Sequence, residues 1–387
     1  MHTDPIVPTL TMVLIGLFLL GMIFRRLKQP YVVGYLVAGI ILGPSGFGLI
    51  EDEKILHHLG SIGVLLLLFF VGMELSPTHL ISGWRISLVG TVLQILVSIG
   101  CVSLIGLLKG WPASRIILLG FVISLSSTSV IMKILNEWKE SATNTGKDVI
   151  GILIVQDILI IPMLIILGFF SGESFHATEL FLQCVGGVGV IGITILIIRI
   201  KGKFHLPFGD QVQNDREMQL FLAAALCFGI AFIVSLFKLP TALGALLGGM
   251  VVASAKETDW IHHSLEPFHI VFMACFFVSI GMLVDLKFIS KYIVSISLLV
   301  AAAYVTNLFI NALILKVLGR SMRESLYAGV LLSQIGEFSF VLAAVGLSSN
   351  IINDFGYQMT IAVISITLLF SPACIILARR FQLHKSW

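Results

Sequence analysis

The feature that most constrains this chain is a succession of long apolar runs separated by short polar breaks. A helix needs roughly 20 mostly apolar residues to cross the hydrocarbon core of a bilayer. Thirteen stretches meet that requirement, at approximately 7–24, 31–48, 57–75, 86–108, 113–134, 148–171, 177–199, 216–237, 239–255, 267–284, 289–317, 324–346 and 355–378. They are continuous rather than alternating, which argues against an outer-membrane barrel. Of the 387 residues, 57% are apolar and 12% charged, about half the charge that a water-facing globular surface carries. The sequence predicts an all-α polytopic membrane protein. It excludes a soluble enzyme, a disordered chain and a secreted disulfide scaffold.

The net charge of +3 is spread over short loops and forms no nucleic-acid patch. The five cysteines all lie inside apolar runs and read as small packing residues. No basic run precedes the first apolar segment, so that segment is expected to remain as a helix rather than to be cleaved. With the N-terminus outside and the C-terminus inside, 18 of the 24 Lys and Arg residues fall on cytoplasmic ends and loops, and an even number of spans would scramble that separation. The expected location is a cell membrane, inner or plasma, crossed many times.

The second half resembles the first. Pro30-x3-Gly34-x4-Gly39 opens the second run and Pro240-x3-Gly244-x4-Gly249 the ninth; Phe69-Phe70-Val71-Gly72-Met73 in the third run resembles the stretch from Phe276 to Met282 in the tenth. Members of each pair are seven runs apart, so the two copies cross in opposite directions, an architecture of secondary transporters. The expected organisation is a first half over 1–199, a cytoplasmic linker over 200–215 and an inverted second half over 216–387. Polar stretches sit at matched places: Ser124 to Ser129 in the fifth run, and Ser333-Gln334-Ile335-Gly336-Glu337 in the twelfth. Such stretches at membrane depth are costly unless they line a cavity or fill an unwound backbone.

Most acidic residues lie in loops or at run ends, but Asp157 and Glu337 do not. A charge at the bilayer centre costs about 2.5–3.5 kcal/mol on insertion scales. Asp157 therefore needs a proton, a cation or a partner, and proton and cation are competing ways to neutralise one site. Gln156 points about 100° away around the helix, within reach of the interrupted backbone. Glu337 either forms a second ion site or neutralises the dipoles of broken helices. Glu74 reads as an interfacial carboxylate, and Lys133 as a side chain snorkelling to the headgroups. No phosphate-binding G-x4-G-K-[ST] motif is present, and Gly187 to Gly192 fits G-x-G-x-x-G only inside an apolar run, where it reads as helix packing. The ten histidines fall at loops or run ends, and only one mid-run aspartate is available, so an intramembrane protease lacks its catalytic groups.

Taken together, Leu125 to Val130, Val155-Gln156-Asp157-Ile158, the stretch from Phe276 to Met282 and Gly336 to Val341 resemble the cation:proton antiporter-2 family. Within it they are similar to the membrane domain of Kef-type potassium/proton antiporters, which share the Gln-Asp pair. The resemblance implies a thirteen-helix homodimer in which a scaffold flanks a mobile core. It implies Asp157 as the carrier of K+ or Na+ and of the proton, with Gln156, Ser127, Thr128 and Ser129 as further ion-binding residues and Ser333, Gln334, Glu337 and Asn307 supporting the crossover. Asn307 stands where several relatives have Lys. Kef-type chains carry a nucleotide-binding domain after the last helix, whereas this chain runs nine residues past its last run. Nucleotide or glutathione gating is therefore not expected, although a separate regulatory subunit is conceivable; no cofactor is implied. One carboxylate with no nearby Lys suggests electroneutral exchange; the expected cargo is a monovalent cation, K+ preferred over Na+. The rival readings are a cation channel or uniporter, and a transport-inactive sensor.

Overall fold

A computed structural model describes residues 6–26, 29–48, 62–63, 65–70, 72–73, 85–170, 177–200, 215–254 and 258–383. The 201–214 stretch of the linker and Glu74 lie outside the described residues. Among them the chain is helical throughout, with no strand: α1 (Ile6–Arg26), α2 (Tyr31–Leu42), α3 (Gly90–Leu108), α4 (Ala113–Ser124), α5 (Thr128–Glu137), α6 (Asn144–Gly168), α7 (Ala177–Ile200), α8 (Arg216–Leu236), α9 (Thr241–Ser254), α10 (Thr258–Met282), α11 (Leu286–Lys291), α12 (Ile293–Val317), α13 (Met322–Leu331), α14 (Phe338–Ser348) and α15 (Asp354–Leu383). The third run is helical where it is described. Among the described residues six spans are long and apolar enough to cross a bilayer, and shorter apolar helices accompany them.

The helices pack as two bundles. In one, α2 packs on α1 and α10, and α9 on α7 and α8; in the other, α3, α4, α6, α12, α13, α14 and α15 pack on one another, with α5 on α6. The first bundle is held by backbone contact. A Cβ on Gly249 would stand 1.9 Å from the Phe69 carbonyl oxygen, and one on Gly281 2.2 Å from that of Leu36. Any side chain there would force the helices apart, so the sequence must supply glycine.

These crossings fix the register of the repeat. Gly39 lies against Val278 and Gly281, and Gly249 against Phe69 and Gly72, so the two contacts are copies of each other. They pair Gly72 with Gly281 and Phe69 with Val278, two residues away from the alignment that the Phe-Phe pairs suggest. Gly39 and Gly249, Pro30 and Pro240, the starts of α5 and α14, and Pro162 inside α6 and Pro372 inside α15 are each 210 residues apart, one more than Gly72 and Gly281. The Phe-Phe match is one of composition. The register is set where two backbones touch, because there size permits no substitute.

Candidate ion site at the helix crossing

The two polar stretches are where helices break. The fifth run divides into α4 and α5 at Leu125–Ser127, and the twelfth into α13 and α14 between Leu331 and Phe338. The breaks face each other directly. Gly336 N–H donates to the Leu125 carbonyl at 2.8 Å, Ser126 Oγ to the Leu332 carbonyl at 2.8 Å, and Gln334 Nε2 to the Ser127 carbonyl at 3.4 Å. A Cβ on Gly336 would lie 2.5 Å from Ser126 backbone atoms, so this crossing also needs glycine.

A broken helix leaves carbonyls without partners at one end and amides at the other. Away from water each must be paired. On the carbonyl side, Gln94 and Gln156 both donate to Ser124 O, at 2.9 and 3.1 Å, and Ser339 Oγ donates to Val122 O at 2.6 Å. Asn307 Nδ2 donates to Ile123 O at 2.8 Å and to Ser333 O at 3.3 Å, serving the ends of α4 and α13 together. On the amide side, Gln156 Oε1 accepts Ser126 N–H at 3.0 Å, and Ser127 Oγ accepts Val130 N–H at 3.3 Å. Glu337 Oε1 accepts from the Ser129 hydroxyl and, at 3.3 Å, from Ser129 N–H. A carboxylate there opposes the positive end of the α5 dipole.

Asp157 sits beside that same helix end. Thr128 Oγ1 lies 3.1 Å from both Asp157 carboxylate oxygens, and the aspartate is 8% exposed. Two carboxylates thus meet one half-helix N-terminus, Asp157 from α6 and Glu337 from the second break. The structure brings Ser127, Thr128, Ser129, Gln156, Asp157, Asn307, Ser333, Gln334 and Glu337 to one crossing, with Ser333 contributing its backbone carbonyl. It places Gln156 and Asn307 on helix-end carbonyls rather than on Asp157. Three acceptor atoms here, Glu337 Oε2, Gln334 Oε1 and Asn307 Oδ1, are buried with no hydrogen-bond partner.

Two residues absent from the sequence reading, Gln94 and Thr367, belong to this network, and Ser339, read there only as part of the Gly336 to Val341 stretch, joins them. Gln94 accepts from Gln156 Nε2 at 2.9 Å and is fully buried; a lone amide inside the apolar run at 86–108 was the available signal. Thr367, whose hydroxyl accepts Ile335 N–H at 3.4 Å, occupies the place in α15 that Asp157 holds in α6. Lys133 also departs from expectation: its ammonium donates to the Gln29 carbonyl, lies 5.1 Å from the centre of the Tyr31 ring and 3.8 Å from Glu137. Gly187 packs on Ile165 and Phe169, which accounts for part of the glycine-rich run by helix contact.

In the turn between α12 and α13, Arg320 grips the buried carboxylate of Asp148, its Nη2 donating at 2.8 Å. Those hydrogen bonds raise the guanidinium pKa above its ordinary value against a smaller opposing effect of burial. Nearby, Arg379 pairs with Glu140 at 3.0 Å and stacks over Trp138, and Tyr327 donates to Glu140 at 2.6 Å.

Broken helices that cross between two opposite-running copies are the means by which secondary transporters place an ion site inside a bilayer. The chain belongs to the family described as sodium/hydrogen exchanger, transmembrane, whose profile matches residues 11–376. It is 34% identical over 368 residues to "Iron transporter MagA" of Paramagnetospirillum magneticum, covering 94% of this chain and 83% of that protein. It is 30% identical to "Glutathione-regulated potassium-efflux system protein KefC" of Cronobacter sakazakii and 29% identical to "K(+) efflux antiporter 5" of Arabidopsis thaliana, over 92% and 91% of this chain. It spans 58% and 63% of those two proteins. Among solved structures, the sodium proton antiporter MjNhaP1 of Methanocaldococcus jannaschii superposes with a TM-score of 0.68 at 16% identity, covering 98% of this chain and 100% of that one, a likeness of fold. The protein is therefore a multi-pass membrane protein of the cation/proton antiporter class, with Kef-type antiporters among its relatives.

Proposed function

We propose that the chain exchanges a monovalent cation for a proton, with K+ favoured and Na+ next, and that Asp157 carries both in turn. The observation that carries this reading is the Asp157 carboxylate, nearly buried, bonded to Thr128 at the positive end of a half-helix. The α5 N-terminus and the Thr128 hydroxyl offset part of the cost of the negative charge. A proton or a dehydrated cation offsets the rest, but not both at once. Occupancy is thus competitive, and a site that alternates between the two sides of the membrane converts competition into exchange. One titrating carboxylate at the carrier position supports one proton per cation and no net charge moved. Asn307 adds hydrogen bonds to the crossing without adding charge.

The orientation with the N-terminus outside, a plasma-membrane location and a homodimer belong to the same reading. So do the relatives' potassium substrates. The name of the 34% identical relative raises iron as a second cargo. The oxygen donors at Asp157 and Thr128 suit an alkali cation, whereas nitrogen and sulfur donors are the softer set that transition metals favour. Among the described residues no three His, Cys, Asp or Glu side chains converge.

The test is proton movement in proteoliposomes on addition of K+, Na+ or Fe2+, comparing wild type with Asp157→Asn. Proton flux that follows K+ or Na+ and vanishes in Asp157→Asn is expected. Cation flux without proton movement would instead establish a uniporter, and full activity in Asp157→Asn would overturn the assignment of the carrier. A membrane current under a cation gradient would overturn electroneutrality alone.

A further inference from the structure

The two copies of the repeat differ at one pair of equivalent places. The repeat superposes α14 on α5 and the start of α9, at Pro240, on the start of α2, at Pro30. Where α14 approaches α9, a cavity of about 470 Å3 separates them, bordered by Pro240, Thr241, Val341, Ala344, Ser348 and Tyr357. Where α5 approaches α2, the equivalent space is bridged. Lys133 reaches from α5 to the Gln29 carbonyl and lies over the Tyr31 ring, with Glu137 of its own helix as counter-charge. Beneath that bridge Val32, Ile131, Ile134 and Leu135 are all buried. The residue equivalent to Lys133 in α14 is Ala343, which has no side chain able to make such a bridge.

We propose that Lys133 is a latch that holds the seam between the two bundles shut on the Pro30 side, and that the Pro240-side cavity is the open vestibule of that same state. The proposal rests on the alternating-access reading above. In a carrier with inverted repeats the two access states arise as the copies exchange conformations about a fixed site. The cavity then closes between α14 and α9, while α5 draws away from α2. The second movement breaks the Lys133 bridge to Gln29 and Tyr31 and uncovers Ile134, the counterpart of Ala344 in the open cavity. Lys133 is thus a positioning residue. It does not touch the ion at Asp157, but it sets how often Asp157 faces each side. Its absence from the second copy makes the two directions of opening unequal, so the latch biases the carrier toward the state open at Pro240.

The measurement is labelling by a small maleimide of a single added cysteine, Ile134→Cys or Ser348→Cys, in the full chain in liposomes against the chain without the addition. Because the bridge is a charge-assisted hydrogen bond, its loss should multiply the unlatched population by about tenfold. Lys133→Met is expected to raise the Ile134→Cys labelling rate by that factor and to slow labelling at Ser348→Cys. Lys133→Arg, which keeps charge, donor and ring contact, should leave both rates near wild type. Unchanged labelling of Ile134→Cys in Lys133→Met overturns the latch. So does a rise at both positions alike, which would indicate loosened packing rather than a shift between states. The same labelling in an Asp157→Asn background reads conformation and not flux, so a failed latch and a failed carrier register separately.

Discussion

Replacing Asn307 with Leu removes an amide that serves two half-helix ends at once while keeping the number and branching of the side-chain heavy atoms. Asn307 is fully buried, and its Nδ2 donates to Ile123 O at 2.8 Å and Ser333 O at 3.3 Å. Ile123 lies in the last turn of α4, where the helix offers no amide four residues on, and Ser333 lies just beyond α13. Leaving a buried acceptor unpaired costs about 1–3 kcal/mol. The first bond is short and loses that in full; the second is long and loses less, giving about 2–4 kcal/mol altogether. Lys at this position offers three donors and places a positive charge at the negative ends of two half-helices, where a cation is favoured. The expected order of stability is wild type, then Asn307→Lys, then Asn307→Leu. Thermal denaturation of the purified protein in detergent should show Asn307→Leu lowered by several degrees and Asn307→Lys much less. Because membrane proteins unfold irreversibly, the comparison is made at one scan rate. An Asn307→Leu chain as stable as wild type would refute the assignment of this amide as the shared helix-end donor. An Asn307→Lys chain less stable than Asn307→Leu would refute the electrostatic part.

Thr128→Val keeps shape but loses both 3.1 Å contacts to Asp157, and hydrogen bonds to charged groups are worth about 1.5–3 kcal/mol. The half-saturating cation concentration in the flux assay should therefore change by about tenfold or more; unchanged flux kinetics would remove Thr128 from the site. Gly249→Ala places a Cβ 1.9 Å from the Phe69 carbonyl oxygen, whereas Gly189→Ala meets nothing within 4 Å. Size-exclusion yield of folded protein should fall sharply for the first and hold or improve for the second, and equal yields would contradict the packing of α9. Arg320→Met leaves the buried Asp148 carboxylate without its guanidinium. Removing one partner of a buried pair is destabilising, and a lowered thermal midpoint that Asp148→Asn in the same chain partly restores is the expected result.

The apolar runs determined by themselves that the chain is helical and lives in a bilayer, because the cost of burying backbone polar groups leaves few alternatives at that depth. Asp157 and Glu337 were legible for the same reason: a carboxylate is conspicuous where charge is expensive. The polar stretches announced that two helices are interrupted. What they could not show is how the interruptions are satisfied, since a serine reads alike whether it caps a helix or packs against one. Only the folded chain put Gln94, 62 residues from Gln156, on the same carbonyl, and joined Glu337 to Ser129 across 208 residues. The register of the repeat was likewise decided in three dimensions. Matching phenylalanines suggested one alignment, and the glycines at touching backbones imposed another, because a missing Cβ is demanded by a contact and not by local pattern. The asymmetry between the copies lies furthest from the sequence. Lys133 looked like a side chain bound for the headgroups until α2 supplied a carbonyl and a ring for it, and which side of a carrier stands open depends on contacts between bundles that no single run contains.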